Sequence, residues 1–278
     1  MVDNLAAENT KVAIYDWPGS FSDRWIEVCS QREIPYITVD LFDNELFMRL
    51  RHANVTAFLC HPVMREKQRL SVAQAIIQAL ALTQLRVFPK PEDYWHFEDK
   101  IAQKYLFDGS DIPTPATHIF FNPRDALKWA RSAEFPCVAK VNARTGALGV
   151  SLMHDCKEVK AWSNEMFGRG KGALNSWLIF IARKIRSFRV GRASLGIAMR
   201  SPRTMWSSWR EYSDIPRERG YVYLQEFLGS SYRTQVIVIG NRAFAHRTTV
   251  RPGDFRTFKS GAEDDHYDDY DPAVVDIA

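Results

Sequence analysis

Cysteine is scarce in this chain: four in 278 residues, Cys29, Cys60, Cys137 and Cys156, far apart and without a Cys-x-x-Cys pair. Such spacing excludes a zinc ribbon or a disulfide framework, and the thiols read as reduced. No apolar run approaches the ~20 residues of a membrane span, and the stretch from Met1 to Asn9 is polar and acidic. A soluble, cytoplasmic protein without a transmembrane segment is the expectation. Two common glycine signatures are also missing. No Gly-x-Gly-x-x-Gly follows the first apolar strand and no Gly-Lys-Ser/Thr opens a helix, so neither a dinucleotide site nor a P-loop is supported. The formal net charge is only +4 and no nucleic-acid-binding motif accompanies it, so nucleic acid is not expected as a partner. What is present, 46% hydrophobic and 25% charged residues, excludes disorder across the whole chain. The length accommodates two domains.

The first ~90 residues alternate apolar strands with helical patterns. Strands are expected at 11–16, 35–40, 55–60 and 85–88, with helices from Phe21, over 45–52 and from about 64 to 82. This alternation predicts a parallel sheet covered by helices. After Pro89 and Pro91 the character changes. A helix over 94–107 carries Lys100 and Lys104, the prolines of 111–115 force extended backbone, a strand follows at 118–121, and a proline-started helix runs over 123–133.

Phe135 to Met153 then reads as a strand bearing Lys140, a polar turn with Gly146 and Gly149, and a second strand. Glycine takes positive φ at no steric cost, so this turn can fold backbone N–H groups over an anion while Lys140 supplies charge. A tight turn with a surface lysine explains the stretch equally well when it is taken alone. With Lys100 placed at the other edge of the same lobe, charge on two sides and backbone donors on a third suit a polyphosphate. Between Ile181 and Gly220 lie ten Lys or Arg against three acids, interleaved with Trp206 and Trp209. This is a solvated basic excursion, or else a docking face for an anionic substrate or a membrane surface. Strands return at 221–228, 235–240 and 243–249 and are expected to form one antiparallel meander, followed by a turn presenting Arg251 and Arg256.

The order of these elements resembles the ATP-grasp superfamily, specifically its carboxylate–amine ligases of the ribosomal-protein-modifying and glutathione-synthase type. Asp99-Lys100 resembles the first phosphate lysine, and 136–150, with Lys140, Gly146 and Gly149, the second lysine and its glycine loop. Gln225, Glu226, Phe227 and Leu228 resemble the hinge that clasps adenine through backbone groups at Glu226 and Leu228, and Arg247 and Arg256 resemble the arginines facing the transferring phosphate. The resemblance implies an α/β (α+β) ATP-grasp fold: a parallel domain over 1–92, a small lobe over 93–152, a basic insertion over 153–220 and the start of a large lobe over 221–278. It implies ATP and Mg²⁺ as cofactors, and amide formation between a small-molecule carboxylate and an amine through an acyl phosphate.

Two positions depart from the pattern. Arg233 and Gln235 stand where the family grips ribose. The family's metal carboxylates correspond to sequence beyond Ala278, which implies a truncated chain with no metal ligand of its own. A non-catalytic ATP- or saccharide-binding relative and an ATP-grasp kinase therefore stay open beside the ligase. The insertion also resembles ATP-grasp proteins of bacterial surface-polysaccharide biosynthesis. That implies a phosphorylated or lipid-linked saccharide partner, with peripheral membrane contact through 181–210 at the inner face. The sequence does not specify an oligomeric state.

Overall fold

The computed structural model describes residues 10–17, 20–61, 67–142, 149–172, 217–240, 242–250 and 255. The chain divides into two units, Met1–Phe97 and Glu98–Ala278.

The first unit is built on β1 (Val12–Tyr15), whose four residues are all buried. A strand apolar at every position needs cover on both faces, and it receives it. Val12 and Ile14 pack with Cys29, Trp25 and Ile26 of α1 (Ser22–Gln31). Ala13 and Tyr15, pointing the other way, join the core built by α2 (Leu46–His52) and α3 (Lys67–Ala81). Along α3, Ala73, Ile77 and Leu80 are each 0% exposed, a stripe at helical spacing that carries the packing. β1 pairs in parallel with β2 (Tyr36–Val39) and β3 (Ala57–Leu59), and β3 with β4 (Arg86–Phe88), giving the order β2-β1-β3-β4. The parallel, helix-covered sheet expected from the alternation is therefore what forms.

The helix expected over 94–107 is two helices, α4 (Pro91–Tyr94) and α5 (Lys100–Gly109). Glu98 has φ +58° and Asp99 is extended, so no helix can run through them. The Asp99 carboxylate instead accepts from the Ala102 N–H at 2.8 Å and caps α5. Lys100 thus stands at the first position of a helix rather than in the middle of one.

In the second unit β5 (Thr117–Phe120), β6 (Cys137–Lys140), β7 (Val150–Met153) and β8 (Val222–Glu226) form one antiparallel sheet in the order β5-β8-β6-β7. Cys137, Ala139, Val222 and Leu224 pack against Ala126 and Ala130 of α6 (Pro123–Ala130) and Val159, Trp162 and Met166 of α7 (Cys156–Phe167). By the two-residue alternation of strands, Lys140, Tyr223 and Gln225 lie on the opposite face.

Two expectations are corrected here. Residues 153–167 and 221–226, assigned to an insertion and to a large lobe, fold with the small sheet: Met153 ends β7, α7 covers the sheet and β8 lies at its centre. The three-stranded meander does not form either. Among the described residues β9 (Tyr232–Ile239) and β10 (Arg242–Thr249) pair only with each other, while β8 bonds to β5 and β6. Gly240, at φ +61°, opens the two-residue turn between them, where a left-handed residue is required. The Arg- and Trp-rich stretch read over 181–210 lies outside the described residues.

Candidate functional site

The face of the four-stranded sheet turned away from α6 and α7 carries Lys140, and Lys100 approaches the end of the same strand from a distant part of the sequence. Lys140 ends β6 opposite Tyr223, and its Nζ donates to Gln225 Oε1, two residues further along β8. Gln225 Nε2 in turn donates to Thr117 Oγ1 at 2.8 Å, so Lys140, Gln225 and Thr117 form one cross-sheet row. The Lys140 Nζ also stands 6.0 Å from the centroid of the Tyr223 ring. Lys100 enters from α5, where its Nζ donates to the Asn142 carbonyl at 2.7 Å.

Asn142 is the joint of this arrangement. It is 2% exposed, immediately beyond β6, and its Oδ1 accepts from the Ile101 N–H at 2.9 Å. One residue therefore fastens the start of α5 to the end of the strand that carries Lys140. Its own N–H donates to Tyr221 Oη at 2.7 Å, and Tyr221 donates onward to Glu218 Oε2 at 3.0 Å. A buried polar group is kept only where it is paired, and this network pairs both ends of Asn142.

The electrostatics follow from burial. Desolvation pushes the Lys100 ammonium down from 10.5 to about 8; Lys140 pushes in the same direction, while Glu98, Glu218 and Asp99 oppose it. Burial also lowers the Lys140 ammonium, and it raises the Glu98 carboxyl above its ordinary value against the pull of Lys100. Two partly desolvated cations side by side favour an anion that arrives between them.

Gly149, at φ +69°, closes the hairpin by accepting from the Val141 N–H at 2.8 Å. Gly146 lies outside the described residues, as does Arg256. At the proposed hinge the Glu226 N–H donates to the Ala116 carbonyl at 2.9 Å, and its Oε2 accepts from the Ala116 N–H at 3.2 Å. Phe227 and Leu228 follow β8, with Leu228 exposed. Arg247 stands on β10 opposite Thr234, its guanidinium stacked 3.9 Å over the Tyr232 ring. Arg233 donates to Gln235 Oε1 at 3.1 Å, so the two departures from the ribose pattern engage each other.

The structure thus gathers Lys100, Lys140 and Gln225 and leaves Arg247 on a separate two-stranded sheet. The expected Mg²⁺ finds no cluster of three or more His, Cys, Asp or Glu among the described residues. Asn142, Thr117, Tyr221 and Glu218 were not singled out in the sequence.

No protein-family model and no curated protein sequence matches the chain. Solved structures do. It is similar to the biotin carboxylase domain of the Hydrogenobacter thermophilus 2-oxoglutarate carboxylase, solved with MgADP, ADP and bicarbonate, at 11% identity and a TM-score of 0.50 over 90% of this chain and 52% of that one. It is also similar to a RimK domain ATP-grasp protein from Sphaerobacter thermophilus, at 14% identity and a TM-score of 0.48 over 96% of this chain and 78% of that one. A third is an N5-carboxyaminoimidazole synthase from Aspergillus clavatus, solved with ADP and 5-aminoimidazole ribonucleotide, at 10% identity and a TM-score of 0.48 over 88% and 55%. The chain spans about half the length of the first and third of these. Its fold is similar to that of the biotin carboxylase domain.

Proposed function

We propose that this chain supplies the ATP-binding part of an ADP-forming carboxylate–amine ligase. The observation that carries the reading is that Asn142, just beyond the strand that ends in Lys140, ties down the start of α5 and accepts from Lys100, which brings the two ammonium groups to the same end of β6. In this reading the two ammonium groups hold the α- and β-phosphates of ATP, with the hairpin of Gly146 and Gly149 beside them. The Glu226 N–H is engaged by Ala116, so the purine edge falls to the Glu226 carbonyl and the Leu228 N–H. Ribose contacts do not follow the family pattern at Arg233 and Gln235.

The chemistry needs little covalent work from the protein. A carboxylate oxygen attacks the γ-phosphorus, ADP leaves, and an amine displaces phosphate from the acyl phosphate to give an amide. The enzyme positions the reactants and neutralises developing charge, which falls to Arg247 and Arg256. The described residues include no ligand set for Mg²⁺, and no step is routed through it. The acceptor is proposed to be an anionic surface-polysaccharide precursor, a reading supported by the Arg- and Trp-rich composition of 181–210.

The test is an ADP-release assay with full-length protein, ATP, Mg²⁺ and a panel of small carboxylates, with and without amines. A ligase yields an amide and releases ADP in step with it. A stable phosphorylated product that forms without amine would instead identify a kinase, and ATP binding without turnover a binding module.

A further inference from the structure

The first unit carries a cavity that the nucleotide reading leaves unused. It has a volume of about 380 Å³ and lies at the carboxyl ends of β1 and β2, lined by Tyr15, Asp16, Trp17, Thr38, Asp40 and Arg49 among others. Open parallel sheets bind ligands outside the carboxyl ends of their strands, beside the point where strand order reverses. Here the order reverses between β1 and β3, and the cavity lies one strand over, at the carboxyl ends of β1 and β2. The decisive feature is Tyr15. Its side chain belongs to a residue 1% exposed, it lines the cavity, and its hydroxyl has no hydrogen-bond partner among the described residues. Buried hydroxyls are normally paired, and one left without a protein partner at a cavity wall points to a ligand.

We infer that this cavity is a binding site for a small primary amine in its ammonium form. The charge of the lining sets the choice. Asp16 and Asp40 each use Oδ1 locally, accepting from Ser22 Oγ at 3.1 Å and from the Phe42 N–H at 3.0 Å. Arg49 is already paired with Asp43 at 2.7 Å, so the lining leaves an excess of carboxylate. Among the described residues a further cation close by is Arg69, 4.9 Å over the Phe42 ring and 5.9 Å from the Trp17 centroid. An ammonium brings three donors to two carboxylates and the Tyr15 oxygen, while the Trp17 and Tyr15 rings, stacked 6.0 Å apart, offer aromatic faces to a cation and its apolar body. Burial, with Asp40 adding to it, raises the Tyr15 hydroxyl to about 12, so it is neutral at pH 7 and adds no charge of its own. An anion would meet Asp16 and Asp40 instead. The volume holds about a dozen non-hydrogen atoms at the ~30 Å³ a water occupies in the liquid. The site stands on the first unit alone and does not depend on the ATP reading.

Benzylamine, benzyl alcohol and benzoate are matched probes differing in charge, to be titrated into the full chain by saturation-transfer NMR at pH 7. Benzylamine is expected to bind, benzyl alcohol more weakly, and benzoate not at all. Asp40→Asn and Asp16→Asn should each weaken benzylamine at least tenfold, and Tyr15→Phe should weaken it without lowering Tm. In the wild type, NOEs should connect the benzylamine ring to the Trp17 indole, a readout that needs no variant. Any of four results would overturn the inference: no benzylamine binding, benzoate binding as tightly, no Trp17 NOE, or a Tyr15→Phe variant that loses Tm while binding is unchanged.

Discussion

A lysine that titrates near 8 is only half charged in mildly alkaline solution, and Lys100 is held there chiefly by burial. The sign follows from linkage. The folded value lies below the ordinary 10.5, so the unfolded chain binds more protons between about 8 and 10.5. This group alone therefore makes stability rise with pH across that window and leaves it flat below. Anion binding works the other way, since it favours the protonated form. ATP affinity is expected to fall by up to about tenfold between pH 7 and 9, with proton uptake on binding near pH 8, measured calorimetrically in buffers of different ionisation enthalpy. Lys100→Arg, which keeps its charge, should flatten the dependence. Asn142 can be tested separately. Asn142→Ala removes the side-chain acceptor for the part-buried Ile101 N–H and should cost about 1–3 kcal/mol in urea unfolding. ATP binding should also weaken because the first turn of α5, which carries Lys100, loses its tie to β6, although the backbone carbonyl that accepts from Lys100 stays. Lys100 and Lys140 could be read in the sequence as a pair. Asn142, Tyr221 and Glu218 could not, because the bonds that tie Asn142 to Ile101 and Tyr221 span 41 and 79 residues and only the folded chain brings those donors to the acceptors.

At the scale of elements, α5 matters because its first residue is Lys100. Asp99→Ala should remove the cap at a cost of about 1 kcal/mol and also weaken ATP binding, because the first turn that carries Lys100 frays. The comparison variant is Ile77→Ala in α3, expected to cost about 2–5 kcal/mol by urea unfolding for its fully buried side chain. Strand and helix types were legible wherever periodicity was strong, as in β1 with its four apolar residues and α3 with its stripe. Partner choice was not. The alternation over 222–226 is the same whether β8 pairs with β9 or with β5 and β6, and the pairing that forms is the one that buries Val222 and Leu224 against α6 and α7. Likewise no periodicity announced the break at Glu98, where a single left-handed residue separates two helices.

For the whole molecule, several weak signals in a fixed order pointed to a fold that no single motif indicated. The fold is similar to that of the biotin carboxylase domain at only 11% identity. If the second unit holds the nucleotide, saturating ATP should raise hydrogen-exchange protection in α5, β6, β7 and β8, and at 100 times Kd it should stabilise the fold by about 2.7 kcal/mol. The most direct test of the central claim is calorimetric titration of ATP into the wild type and into Lys140→Ala. The account predicts a folded variant, with an unchanged circular dichroism spectrum, that binds ATP at least tenfold more weakly, a loss of about 1.4 kcal/mol or more. An equally well folded Lys140→Ala protein with wild-type ATP affinity would contradict it.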